Sequence, residues 1–167
     1  MQLQFEIREE SDDDVQPLSE LSAAAFGPGR FARAAYRVRE GIAPVPGLSL
    51  TAWSDGRLLG GVRFTPVGIG EEKQALLLGP LVVDPAHAGK GYGKALVREG
   101  LARAKAASFR LVVLVGDLPY YARLGFGPVP PGQITLPGPV DPHRLLAIEL
   151  APGALGGAAG LVHALSR

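Results

Sequence analysis

Three glycines at alternate positions, Gly89, Gly91 and Gly93, join an apolar strand-like run to a long helical segment, and this junction constrains the fold more than any other feature of the chain. The helical segment spans residues 91–107 and has the apolar spacing of an amphipathic helix. A short β-branched run at 109–115 follows it at once. Strand, helix and strand in immediate succession predict a parallel crossover unit.

The rest of the chain predicts antiparallel strands and further helices, because apolar alternation and turn residues such as Asp55-Gly56 recur along it. The predicted strands are residues 3–8, Leu48–Ser54, Arg57–Pro66, Lys73–Val83, Phe109–Val115, Ile134–Leu136 and Leu145–Leu150. The predicted helices are Val15–Phe26, Phe31–Glu40, Gly91–Ala107 and Leu118–Leu124. We therefore expect one α+β domain over residues 1–167, with a mixed, mostly antiparallel twisted sheet, helices on its faces and a glycine-rich tail, Gly153–Arg167, that packs only in part.

Composition and charge exclude several classes of protein. Seventeen Lys and Arg residues against sixteen Asp and Glu give a net charge of +1, which provides no field for nucleic acid or an anionic membrane. The absence of cysteine excludes disulfides, a thiol nucleophile and zinc–thiolate clusters. No apolar run approaches the ~20 residues that span a bilayer, and the acidic start lacks the features of a signal peptide. These observations predict a cytoplasmic protein without a metal, nucleic-acid or membrane partner.

The glycine junction predicts a site for a phosphate-bearing ligand. Glycines allow several backbone N–H groups to converge on one point, and a helix N-terminus adds partial positive charge there. Lys90 and Lys94 contribute two further positive charges. A glycine-rich helix start that binds nothing would lose about 1 kcal/mol of helix stability for each interior glycine, which disfavours that alternative.

Two common nucleotide-binding motifs do not fit this junction. A P-loop requires glycine where Ala88 stands and a hydroxyl where Ala95 stands. A dinucleotide fingerprint places its third glycine at Lys94 or at Leu96, depending on where it starts. A nucleotide-binding enzyme is therefore the weakest of the alternatives that remain open.

Two segments resemble the GNAT N-acetyltransferases. The junction is similar to the coenzyme A (CoA) pyrophosphate loop of that family, Gln/Arg-x-x-Gly-x-Gly/Ala, with Gly91 and Gly93 at the glycines and Ala88 in place of the leading side chain. The preceding LGPLVVDP resembles the family's fourth strand. The later YARLGF resembles the family's Tyr-x-x-x-Gly-Phe segment after the fifth strand, with Tyr121 at the tyrosine. The resemblance covers about residues 3–150, and VGDLPYYARLGF with PGALGG is most similar to a bacterial subgroup known only as predicted N-acetyltransferases.

The resemblance implies an enzyme that moves an acetyl group from acetyl-CoA to an amine by direct attack in a ternary complex. Tyr121 is then the general acid toward the CoA thiolate, and a main-chain N–H near Leu81 or Val82 polarises the thioester, since Pro80 has no N–H. The pantetheine arm lies along the strand as an added strand. The residues implied to bind acetyl-CoA are Leu81, Val82, Val83, Ala88, Gly89, Lys90, Gly91, Tyr92, Gly93 and Lys94.

The acceptor and the general base are left open. The resemblance implies an acceptor pocket walled by the Gly27–Phe31 loop and the last two strands, for a small-molecule amine or a protein amino group. Three arginines at helical spacing could attract a carboxylate or could form a solvated face: Arg30, Arg33 and Arg37. No spacing selects a base among Glu71, Glu72, His87, His143 and Glu149. A homodimer is compatible by analogy alone. A non-catalytic acyl-CoA sensor is the main alternative, because of Ala88 and the unassigned base.

Overall fold

Residues 5–26 and 47–165 are described in the computed structural model of the chain, and the helix predicted at residues 31–40 lies outside them. The strands within the described residues are β1 (Glu6–Glu9), β2 (Leu50–Ser54), β3 (Arg57–Ile69), β4 (Glu72–Val83), β5 (Leu111–Val115), β6 (Gly127–Pro128), β7 (Ile134–Thr135), β8 (Leu145–Glu149) and β9 (Gly160–Ala164). The α-helices within them are α1 (Val15–Phe26), α2 (Tyr92–Ala106) and α3 (Leu118–Ala122). Short 3-10 helices form at Asp12–Asp14, Pro85–His87 and Pro142–Arg144.

The sheet is mixed and mostly antiparallel. Its strands follow the order β1-β2-β3-β4-β5-β8-β6, and β9 pairs with both β3 and β7 off this path. Along the main path only β4 and β5 run parallel, as the crossover through α2 requires. This arrangement confirms the predicted α+β fold with a strand–helix–strand unit at its centre.

Sequence patterns do not predict two of the observed strands, β6 and β9. Strand β9 lies in the glycine-rich tail and pairs with β3, where Val67 faces Ala164 and Ile69 faces Val162. Val162 and the tail residue Ala158 are buried. The tail is made of small residues with little hydrophobic periodicity, so its burial depends on the sheet surface that it covers.

Two apolar cores lie on the two faces of the sheet. The core on the face that we call the α2 face contains Phe64, Leu78 and Leu114 together with residues of α2. The core on the opposite face contains Leu77 and Val113 with residues of β7, β9 and the tail. Neighbouring residues on one strand thus belong to different cores, as strand alternation requires.

Helix α2 packs on the sheet through a close contact between Gly100 and Phe64. Gly100 is buried, and a Cβ built at this position overlaps the ring of Phe64, which has no exposed surface. We expect Gly100→Val to lower the free energy of unfolding by about 1–3 kcal/mol, because an added side chain in a filled core forces its neighbours to move. Urea denaturation measures this as a lower midpoint.

Combining Gly100→Val with Phe64→Leu tests the cause of that loss. If the ring is the obstacle, the double variant loses less stability than the two single variants added together. Strict additivity would contradict the contact.

Candidate functional site

Strands β4 and β5 separate after a short parallel pairing. Ala75–Leu77 pair with Leu111–Val113, but β4 continues to Val83 and β5 to Val115. The carboxyl ends of the two strands therefore border a gap at the centre of the sheet. A gap of this kind can accept an extended chain as an added strand.

A bulge in β4 lies beside this gap. Val62 of β3 faces Leu81, whereas Phe64 faces Leu78, so two residues of β4, Gly79 and Pro80, oppose one residue of β3. Such a bulge bends the strand and changes which residues direct their backbone groups to each side.

Beyond the bulge, alternate residues of β4 direct their backbone groups toward the gap. The Asp84 N–H donates to the Leu59 carbonyl at 2.7 Å, so Asp84 faces β3. By alternation Val82 also faces β3 with its backbone groups, and those of Leu81 and Val83 point away from β3. The resemblance left open whether the N–H of Leu81 or that of Val82 polarises the thioester. Only the Leu81 N–H points into the gap.

The glycine loop follows β4 and ends at the N-terminus of α2. The Asp84 carboxylate accepts the Ala86 N–H at 3.0 Å, which starts the turn. Gly91 is the N-cap of α2 and has a φ of +91°, a left-handed conformation that side chains disfavour. Ala88, Gly89 and Lys90 are exposed. The loop therefore presents open backbone at the positive end of a 15-residue helix.

Tyr120 connects the two sides of the gap on the α2 face. A Cβ built at the buried Gly93 would lie 2.6 Å from the Tyr120 hydroxyl and 3.4 Å from Val83 Cγ2. Lys94 Nζ lies 5.7 Å from the centroid of the Tyr120 ring, within the range of a cation–π contact. A larger side chain at position 93 would clash with the Tyr120 hydroxyl, which reaches the first turn of α2.

Tyr121 is fixed at the end of β5. Its ring lies 4.9 Å from that of Tyr120 and 5.7 Å from that of Phe126, centroid to centroid, both edge-on. A Cβ at the buried Gly116 would lie 2.5 Å from Tyr121 Cε2. Burial, Tyr120 and the nearby Asp117 raise the pKa of Tyr121 to about 12, against a smaller opposing effect of Arg144. The phenol is therefore protonated at neutral pH.

Several of the predicted base candidates have other partners. Glu72 lies 3.4 Å from Arg110 and accepts the Gln74 N–H, and Glu149 accepts the Leu155 N–H at 2.9 Å. His87 Nδ1 lies 3.5 Å from Asp84 Oδ2, and its ring is 6.4 Å from that of Tyr92. The ring of Tyr92 contacts Phe5 at 5.1 Å. Glu71 and His143 are exposed. The geometry selects none of the five as a base. The predicted Gly27–Phe31 loop lies outside the described residues, as do Arg30, Arg33 and Arg37.

An ion pair joins Arg63 and Glu10, and the sequence patterns do not predict it. Arg63 Nε and Nη2 donate to the two Glu10 carboxylate oxygens at 2.8 and 2.7 Å. The one signal in the sequence is a charged residue within the apolar run LLGGVRFTPV. Its partner is 53 residues away, so local patterns cannot identify the pair.

The described residues contain neither a metal-binding cluster nor a membrane-spanning helix. Across residues 5–26 and 47–165, no three His, Cys, Asp or Glu side chains are grouped so that they could hold a metal ion. In the same ranges no helix is both long and apolar enough to cross a membrane.

A family model described as the acetyltransferase (GNAT) family matches residues 15–126. The chain belongs to the GNAT acetyltransferase family. The match includes β4, the glycine loop, α2 and the segment through Phe126, which carried the resemblance. Membership confirms that resemblance and the prediction of an acyltransferase.

Curated relatives and solved structures agree with the family. The uncharacterized N-acetyltransferase YhbS of Escherichia coli K12 is 31% identical over 157 residues, which cover 93% of this chain and 93% of that protein. The crystal structure of E. coli YhbS in complex with CoA matches with a TM-score of 0.82 and 30% identity, covering 99% of this chain and 92% of that one. A GNAT acetyltransferase from Brucella melitensis in complex with acetyl-CoA matches with a TM-score of 0.61 and 34% identity, covering 86% and 95%.

Proposed function

We propose that the chain transfers an acetyl group from acetyl-CoA to the amino group of a small molecule or a protein, by direct attack in a ternary complex. The observation that carries this proposal is the gap between β4 and β5. The glycine loop follows the end of β4, and Tyr121 lies at the end of β5. The CoA and acetyl-CoA held by the E. coli and B. melitensis structures support it.

The glycine loop would bind the pyrophosphate of acetyl-CoA. Backbone N–H groups of Gly89–Gly93 and the N-terminus of α2 supply hydrogen bonds and positive potential, and Lys90 and Lys94 add charge. Ala88 offers no side-chain donor, so backbone groups carry most of this binding. The pantetheine arm would then extend along Leu81 and Val83, whose backbone groups point away from β3.

Leu81 and Tyr121 would serve the two ends of the reacting thioester. The Leu81 N–H is suited to hydrogen-bond the carbonyl oxygen as it becomes negative. The neutral amine attacks the carbonyl carbon, so that a C–N bond forms and the C–S bond breaks. The departing thiolate takes the proton of the Tyr121 hydroxyl, the acetylated nitrogen gives its extra proton to water, and a proton from water then restores the Tyr121 hydroxyl. Because the chain has no cysteine, no acyl-cysteine intermediate is involved.

Release of free thiol from acetyl-CoA, measured against a panel of amines, tests the proposal. We expect turnover with at least one class of primary amine and saturable binding of CoA by calorimetry. Binding of CoA without turnover would favour the acyl-CoA sensor, and no binding of CoA would contradict both functions.

The raised pKa of Tyr121 predicts the alkaline side of the pH profile. A tyrosine with a pKa of about 12 keeps its proton below that pH and loses it only as the pH rises through 12. We therefore expect kcat/KM to rise with pH as the acceptor amine is deprotonated and to show no fall up to about pH 10, where an ordinary tyrosine would titrate. A descending limb with an apparent pKa near 9 or 10 would contradict this assignment of the acid.

A further inference from the structure

The side chain of Tyr120 crosses the gap between β4 and β5 on the α2 face. Tyr120 belongs to α3, which follows β5, whereas its hydroxyl reaches the first turn of α2, which follows β4. A Cβ built at Gly93 would lie 2.6 Å from this hydroxyl, 3.4 Å from Val83 Cγ2 and 3.7 Å from Leu81 Cδ2. The hydroxyl therefore lies where the glycine loop meets the two residues of β4 whose backbone groups face the gap.

This hydroxyl has no hydrogen-bond partner within residues 5–26 and 47–165. In the same ranges only Ser49 Oγ and His87 Nδ1 are both buried and unpaired, so solvent reaches the Tyr120 hydroxyl. The side chain as a whole is half-buried. A phenol can donate one hydrogen bond, and this one is free to donate to a ligand in the gap.

Contacts on two sides hold the ring that carries this hydroxyl. Lys94 Nζ lies 5.7 Å from the centroid of the Tyr120 ring, and the ring of Tyr121 packs edge-on against it at 4.9 Å. A tyrosine has only two side-chain torsions, so little conformational entropy remains to be lost when the hydroxyl binds a ligand. The hydroxyl is thus a donor already held in position, which favours binding.

The charges around the hydroxyl favour an anionic acceptor atom. Lys94 forms no ion pair with any carboxylate of the described residues, so its ammonium group can balance a negative ligand. The free N–H groups at the start of α2 add partial positive charge. Burial raises the pKa of Tyr120, so the phenol keeps its proton and donates. A hydrogen bond to an ionised oxygen is about twice as strong as one between neutral groups.

We propose that the Tyr120 hydroxyl donates a hydrogen bond to a phosphate oxygen of acetyl-CoA, at the end of the diphosphate where the pantetheine arm enters the gap. The inference rests on the proposed function, because it takes the glycine loop as the place of the diphosphate. Tyr120 then binds the donor where it turns from the N-terminus of α2 into the sheet. The phosphate of phosphopantetheine, and not the arm alone, is therefore a part of the donor that this side chain recognises.

Ligands that differ only in this phosphate test the inference. The probes are CoA, 4′-phosphopantetheine and pantetheine, with calorimetry for CoA and displacement of bound CoA for the two shorter ligands. In Tyr120→Phe, which keeps the ring and its contacts, we expect the affinity for CoA and for 4′-phosphopantetheine to fall about tenfold, as loss of one hydrogen bond to a charged group implies. The affinity for pantetheine should not change, because this ligand has no phosphate.

Lys94→Met and Lys105→Met form a matched pair for the charge beside the hydroxyl. Each removes one lysine charge from α2, but Lys105 is exposed near the other end of the helix, about 16 Å along its axis from Lys94. We expect Lys94→Met to weaken the binding of 4′-phosphopantetheine and to leave that of pantetheine unchanged. Lys105→Met should bind both ligands as the parent protein does.

The outcomes separate this inference from the proposed function. An unchanged affinity of Tyr120→Phe for 4′-phosphopantetheine, or an equal loss of affinity for pantetheine, would overturn the inference and leave acetyl transfer intact. Because the measurement is of binding, it decides the role of the hydroxyl whether or not an amine is turned over. No binding of CoA by the parent protein would overturn both.

Discussion

Tyr121→Phe is expected to lower kcat for acetyl transfer by about 10²–10⁴-fold and to leave the affinity for CoA unchanged. General acid catalysis contributes a factor of that size, and the substitution removes only the hydroxyl that we propose as the proton donor. The ring keeps its contacts with Tyr120, Phe126 and Gly116, so the geometry at the end of β5 persists. Steady-state kinetics gives kcat, and calorimetry with CoA gives the affinity.

Tyr120→Phe is the matched variant for this experiment, because the same atom is removed one residue away. Its hydroxyl abuts Gly93 on the α2 side, so we expect a much smaller fall in kcat. Equal effects of the two variants would indicate that the tyrosine pair acts through packing. Full turnover by Tyr121→Phe would remove Tyr121 from the chemistry.

The central unit of the fold could be predicted because its signals are local. The helix predicted at Gly91–Ala107 is observed at Tyr92–Ala106, since glycines mark its start and apolar spacing marks its length. Strand β4, predicted to begin at Lys73, begins at Glu72 and ends at Val83 as predicted. The order of strand, helix and strand then leaves a parallel crossover as the simple solution.

The pairings around this central unit could not be predicted in the same way, because their determinants are distant in sequence. The bulge of β4 becomes visible only through its register with β3, although Gly79-Pro80 within a strand is a known mark of irregularity. The partner of Arg63 is Glu10, far along the chain. Strand β9 owes its position to β3 and not to its own small residues. Local patterns carry no information on such pairings.

Gly91→Val is expected to weaken the binding of CoA about 10- to 100-fold. Valine at a φ of +91° has a strain of about 1–3 kcal/mol, and a tenfold change in affinity corresponds to 1.4 kcal/mol. In the free protein the loop relaxes this strain by turning the amides at the start of α2 away, so that binding of CoA has to restore the strained conformation. The cost of that restoration lowers the affinity, and calorimetry with CoA measures the loss.

Gly56→Val separates this effect from backbone strain in general. Gly56 has a φ of +73° in the turn between β2 and β3, and a Cβ there meets nothing within 4 Å. The two variants therefore introduce the same β-branched side chain at a left-handed position, and both should lower the midpoint of urea denaturation. Only Gly91→Val should weaken CoA binding, because only Gly91 begins the helix whose N-terminal amides we propose to bind the diphosphate. If both variants bind CoA as tightly as the parent protein, the glycine loop is not the pyrophosphate site, and the positive end of α2 has no part in holding the acetyl donor.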